Sequence, residues 1–127
     1  MSLCIVAAGK TVTLAVAAFT LSWVHSVEKT QWQEDWKVLP SGLQLVEARI
    51  KGSGAGMEPP QGSALRDGWW VYAPKIGPQL RLVLAASGAT GGGWTLCTAQ
   101  DCRELGKLAG EAVSLEPCGL EGSSQPR

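Results

Sequence analysis

The sequence is poor in the residues that most often carry chemistry or bind charge. It holds one histidine, and its eleven Lys+Arg are balanced by eleven Asp+Glu, so the formal net charge is zero. A nucleic-acid binder shows a basic excess or stripe, and no nucleic-acid partner is expected here. No run of about 20 uninterrupted apolar residues is present, which excludes a plain membrane-crossing helix. Thr11 to Val24 is mostly apolar, but it lacks the basic start and small-residue cleavage site of a secretory signal. It reads as strands, and no export signal is visible. The aromatic set is lopsided too, with six Trp against one Phe and one Tyr.

What is present suits one compact domain. A chain of 127 residues that is 45% apolar and 17% charged falls in the single-domain range and buries roughly two-thirds of its unfolded surface. Sixteen Gly and seven Pro cut it into short segments rich in β-branched and aromatic residues, the signature of strands. Strands are expected near residues 2–8, 11–17, 19–27, 32–38, 43–50, 69–73, 80–86, 93–97 and 112–116, with Gly9-Lys10 as the first turn. Only Arg103 to Gly110 offers a helical turn. The fold class is therefore all-β: a single-domain antiparallel β-sandwich or small barrel over residues 1–118. The polar tail Gly119–Arg127 has the composition of a disordered end.

The centre can be read residue by residue. Alternation puts Phe19, Leu21, Trp23, His25 and Val27 on one strand face, and Trp32, Glu34, Trp36 and Val38 on one face of the next. A turn centred on Lys29-Thr30 sets Trp23 opposite Trp36, His25 opposite Glu34 and Val27 opposite Trp32. The turn at Pro40-Ser41-Gly42 then sets Val46, Ala48 and Ile50 opposite Trp36, Glu34 and Trp32. His25 and Glu34 are the only ionisable residues on this face, and opposed Cβ atoms lie about 4.5–5.5 Å apart. The pair reads either as a proton-exchanging or ligand-binding site, or as a satisfied polar pair within the sheet.

Other chemistry is weaker. Ser26 and Glu28 lie on the opposite face, so Ser26 cannot use His25 as its base. No nucleophile elbow exists, and Ser-Val-Glu-Lys lacks the partner motifs of the penicillin-binding enzymes. The loop Gly54-Ala55-Gly56-Met57 runs into Glu58-Pro59-Pro60, which forbids the helix a dinucleotide fingerprint needs. No catalytic residue, metal or cofactor is expected. Trp69 and Trp70 point to opposite faces, as a ligand platform, a partner contact or core.

The four cysteines, Cys4, Cys97, Cys102 and Cys118, allow three disulfide connectivities. Cys97–Cys102 with Cys4–Cys118 is the easiest to close. Free or buried thiols are the leading reading, disulfides come second, and a metal site comes last because the spacing is not the paired kind that structural zinc sites use.

At His25-Ser26-Val27-Glu28-Lys29-Thr30, followed by Glu34, Asp35 and Trp36, and again at Gly54-Ala55-Gly56-Met57, the chain resembles the bacterial DUF1850 family, a domain of unknown function. The likeness covers most of residues 3–118 and is most specific over 19–60. It implies an all-β, extracytoplasmic domain associated with the membrane subunits of tripartite ATP-independent periplasmic (TRAP) transporters. Many relatives carry an N-terminal hydrophobic anchor, whereas this chain starts almost directly at its first strand. The family brings no established activity. The expectation is a non-enzymatic accessory domain that binds a TRAP transporter membrane subunit. Its candidate contact residues are His25, Ser26, Glu28, Thr30, Glu34, Gly54, Gly56 and Met57. The alternative is a small-molecule-binding module with a pocket around His25 and Glu34. A hydrolase or metalloprotein ranks third.

Overall fold

The structure, a computed structural model, describes residues 2–24, 30–51, 62–85, 93–106 and 112–118. Within them the chain runs as β1 (Ser2–Ala7), β2 (Lys10–Leu14), β3 (Ala18–Val24), β4 (Gln31–Leu39), β5 (Gly42–Lys51), β6 (Ala64–Arg66), β7 (Trp69–Tyr72), β8 (Leu82–Leu84), β9 (Trp94–Cys97), β10 (Cys102–Leu105) and β11 (Val113–Cys118). These form a four-stranded sheet, β2-β1-β11-β8, and a seven-stranded sheet, β10-β9-β3-β4-β5-β7-β6. Every pairing is antiparallel. The expected all-β sandwich is what the chain forms.

Alternation along the strands builds the core. Leu3, Ile5, Leu84, Val113 and Leu115 from the small sheet meet Phe19, Leu21, Trp36, Val38, Leu43, Leu45 and Leu96 from the large one. Two tight hairpins show why the strands stop where they do. Ala8 and Gly9 both have positive φ (51° and 79°), and so do Asp67 and Gly68 (50° and 85°). Two such residues in a row match the twist of a two-residue hairpin loop. The first turn is therefore Ala8-Gly9 and not Gly9-Lys10, since Ala7 pairs with Lys10. Asp67-Gly68 creates β6, a strand absent from the sequence reading.

Arg103 is not in a helical turn. It lies in β10, whose Cys102 sits opposite Cys97, and the hairpin closes with the Thr98 N–H donating to the Asp101 carbonyl. Backbone pairing with β9 wins over the weak local propensity of Arg-Glu-Leu. Residues 107–110 of that expected turn lie outside the described residues, as does the tail 119–127.

All four cysteines are in disulfides, Cys4–Cys118 and Cys97–Cys102. The first crosses β1 and β11 diagonally, since Cys4 pairs with Glu116 while Cys118 pairs with Ser2. The free-thiol reading falls, and a zinc site loses its thiolate ligands.

The register of the central strands corrects the sequence reading. β3 and β4 pair Phe19 with Trp36, Leu21 with Glu34 and Trp23 with Trp32. Glu34 thus faces Leu21, and His25 lies outside the described residues. Alternation could not tell these registers apart, because a shift by an even number of residues leaves every side chain on its face. Ring packing separates them: Phe19 stacks on Trp36 (centroids 6.5 Å apart) and Trp23 on Trp32 (5.9 Å). Between β4 and β5, Ala48 and Ile50 do face Glu34 and Trp32, but Leu45 takes the place expected for Val46 opposite Trp36. A β-bulge at Asp35/Trp36 causes this. It leaves Val46 as the extra, exposed residue and turns Leu43 and Leu45 into the core.

Candidate functional site

The candidate site is built on the core-facing side of the large sheet, where it continues past the packed sandwich. Register sets Leu96, Leu21, Glu34, Ala48 and Tyr72 in one row across five strands. The adjoining row holds Trp23, Trp32, Ile50, Trp70 and Leu65. Trp94 joins it, its ring centroid 4.8 Å from that of Trp23 at a tilt of 47°. These indoles are half-buried, and such tilted and offset stacks hold aromatic rings in fixed relative positions.

Glu34 is the acid of this surface. Burial pushes its carboxyl above the ordinary glutamate value, and the Trp36 Nε1–H, donating to Oε1 at 3.1 Å, pulls it part of the way back. Tyr72 is pushed up as well, first by burial and then by the Glu34 charge, which acts across the small Ala48 side chain. The Trp32 Nε1 is buried without a hydrogen-bond partner. A buried donor left unpaired costs about 1–3 kcal/mol, so such atoms are rare and specific. The surface thus combines a stacked aromatic floor, one acid that holds its proton more tightly than usual and a phenol. It is equipped to hold a flat or apolar group by stacking and hydrogen bonding.

The opposite face of the same strands carries a polar network. Arg49 donates through Nη1 and Nη2 to both Asp35 oxygens (2.8 and 3.1 Å), through Nη1 to Glu47 (2.8 Å) and through Nε to Gln33 (3.0 Å). The Thr20 hydroxyl donates to Asp35 at 2.8 Å. Hydrogen bonds from Arg49 hold Asp35 below the usual aspartate range, against the opposing effect of burial. With its donors so engaged, Arg49 ties β5 to β4, and Thr20 extends the clasp to β3 through Asp35. Beside Asp35 an open groove of about 690 Å³ runs between the Ala15–Ala18 connection, Val46 and the hairpin tip at Thr98–Gln100.

Of the residues singled out in the sequence, Glu34 reaches the candidate surface. Thr30 stands half-buried just before β4. His25, Ser26, Glu28, Gly54, Gly56 and Met57 lie outside the described residues. Sequence reasoning missed Tyr72 and Trp94 because both enter through pairings with distant segments. The Asp67-Gly68 turn would have fixed the start of β7 and with it the position of Tyr72. Among the described residues, no three His, Cys, Asp or Glu side chains converge as metal ligands do.

Comparison with known proteins places this site in a family. No curated protein and no solved structure matches the chain. Residues 19–105 match the family described as "Domain of unknown function (DUF1850)". That span takes in β3 to β10, and so the whole candidate surface. The chain is a member of the DUF1850 family.

Proposed function

We propose that this chain is a non-enzymatic accessory domain that works in an oxidising, extracytoplasmic compartment and binds a membrane subunit of a TRAP transporter. Membership of the DUF1850 family over residues 19–105 carries the reading, through the association that the resemblance implies. The disulfides Cys4–Cys118 and Cys97–Cys102 support the compartment, because cytosolic thiols are kept reduced. The balanced charge agrees with a protein-binding role and not a polyanion-binding one.

The test is copurification of the intact, oxidised chain with the transporter's membrane subunits in detergent. Recovery of a stable complex supports the reading, and its absence under conditions where the transporter itself stays assembled overturns it.

The second reading, a small-molecule-binding module, draws on the aromatic floor around Glu34. Quenching or a blue shift of tryptophan fluorescence on titration with aromatic ligands supports it, and Trp32→Phe then weakens the response. A flat titration counts against it.

A further inference from the structure

From Gly68 to Gln100 the sequence contains no Asp or Glu, and its only charges are Lys75 and Arg81. The same stretch carries the two most exposed large apolar side chains of the described residues, Leu80 and Val83, and a third, Ile76. Leu80 is 82% exposed, Val83 61% and Ile76 44%. Isolated surface aliphatics need no explanation, but three within the eight residues 76–83 concentrate exposed apolar surface along one cation-bearing segment.

This segment is held, not trailing. The Leu43 N–H donates to the Gln79 carbonyl (2.7 Å) and the Gln79 N–H to the Leu43 carbonyl (2.8 Å). Gln44 Nε2 donates to the Ile76 carbonyl at 2.9 Å, and Gln79 Nε2 to that of Gly77 at 3.0 Å. The approach is close enough that a Cβ at Gly42 would stand 2.6 Å from the Gln79 carbonyl oxygen. A backbone fixed this firmly presents Ile76 and Leu80 to solvent in a set arrangement, so their exposure is a property of the fold.

The charges select the occupant. Lys75 and Arg81 form no ion pair among the described residues. Continuing the β8–β11 register by one residue sets Glu116 across from Arg81, yet no ion pair joins them. A second copy of the chain would bring its own Lys75 and Arg81 against these, like charge to like. Exposed aliphatics flanked by free cations suit a surface that is apolar within and anionic at its rim, which is the chemistry of a phospholipid leaflet.

We propose that the segment from Lys75 to Val83 docks on an anionic phospholipid surface, with Ile76, Leu80 and Val83 entering the headgroup region and Lys75 and Arg81 held at the level of the phosphates. This goes beyond transporter binding and stands or falls without it.

Vesicle sedimentation with the full oxidised chain tests it, using vesicles of phosphatidylglycerol and phosphatidylcholine in equal parts against phosphatidylcholine alone. At low salt the chain should partition at least about tenfold more strongly onto the anionic vesicles, and the difference should shrink as salt screens the two cations. Leu80→Asp and the double variant Lys75→Gln/Arg81→Gln should each remove most of the partitioning. Val12→Thr, a change at an exposed aliphatic on β2, should not. Circular dichroism confirms that each variant is folded, and all four positions lie on exposed chain. Equal partitioning on both vesicle types, none on either, or binding unchanged by Leu80→Asp overturns the proposal. So does self-association of the native chain that Leu80→Asp abolishes, since the patch would then be a contact between copies. Loss of transporter capture with vesicle binding intact would sink the transporter reading alone.

Discussion

Successive residues of β4 put Glu34 on the core-facing side of the large sheet and Asp35 on its solvent side, and their acidities move in opposite directions. Glu34 is raised above its ordinary value of 4.5, chiefly by burial. The fold therefore favours its protonated form. That contribution is full below the ordinary glutamate range and is lost as pH rises through the higher folded value. Glu34→Gln keeps an acceptor for Trp36 and cannot ionise, so the variant should match or exceed the parent at neutral pH, by up to about 1 kcal/mol. Urea titrations at pH 4 and pH 7 check this, and a variant that is less stable at pH 7 would refute it. Asp35 is lowered from 3.8, first by its hydrogen bonds from Arg49. Its contribution is present above that value and is lost as pH falls through the lower folded one. Asp35→Asn should cost about 1 kcal/mol at neutral pH, a modest figure because the pair is partly solvent-screened, and little in strong acid. Equal losses at both pH values would show that Arg49 draws nothing from the Asp35 charge.

At the scale of strands, the sequence showed faces well and pairings less well. Phe19, Leu21, Trp23, Trp32, Glu34, Trp36 and Val38 all lie on the side that alternation assigns them. Which residue meets which depends on loop length and ring stacking, and neither has a period that can be read along the chain. The expected register, with His25 opposite Glu34, gave way to Leu21 opposite Glu34 for this reason, and Tyr72 entered the site unseen. Val46 shows a different limit: a bulge adds one residue and inverts everything beyond it. It also makes a prediction. Deleting Val46 would join Leu45 directly to Glu47 and leave Leu43, Leu45, Ala48 and Ile50 in strict alternation on the core side. The deletion should therefore fold, with a cost of about 1 kcal/mol or less because Val46 is exposed and unpaired. A melt by circular dichroism measures the change, and collapse of the fold would show that the bulge's added twist is required.

Over the whole molecule the two disulfides differ mainly in how much chain they close. Cys4–Cys118 spans 114 positions and Cys97–Cys102 spans five. By loop-closure entropy the first restricts the unfolded chain by about 4–5 kcal/mol and the second by about 2 kcal/mol. The double variant Cys4→Ser/Cys118→Ser should accordingly lose about twice the stability of Cys97→Ser/Cys102→Ser in urea unfolding. Equal losses would mean that residual structure in the unfolded state, and not loop length, sets the effect. The longer bridge has a mechanical consequence as well. Because β1 and β11 are neighbours and Cys4 is bonded to Cys118, tension applied at the two ends travels through a covalent link between adjacent strands. The hydrophobic core between the sheets bears almost none of it. Pulled through its two terminal strands, the oxidised domain would transmit force as a short inextensible clip, and only reduction would let it extend.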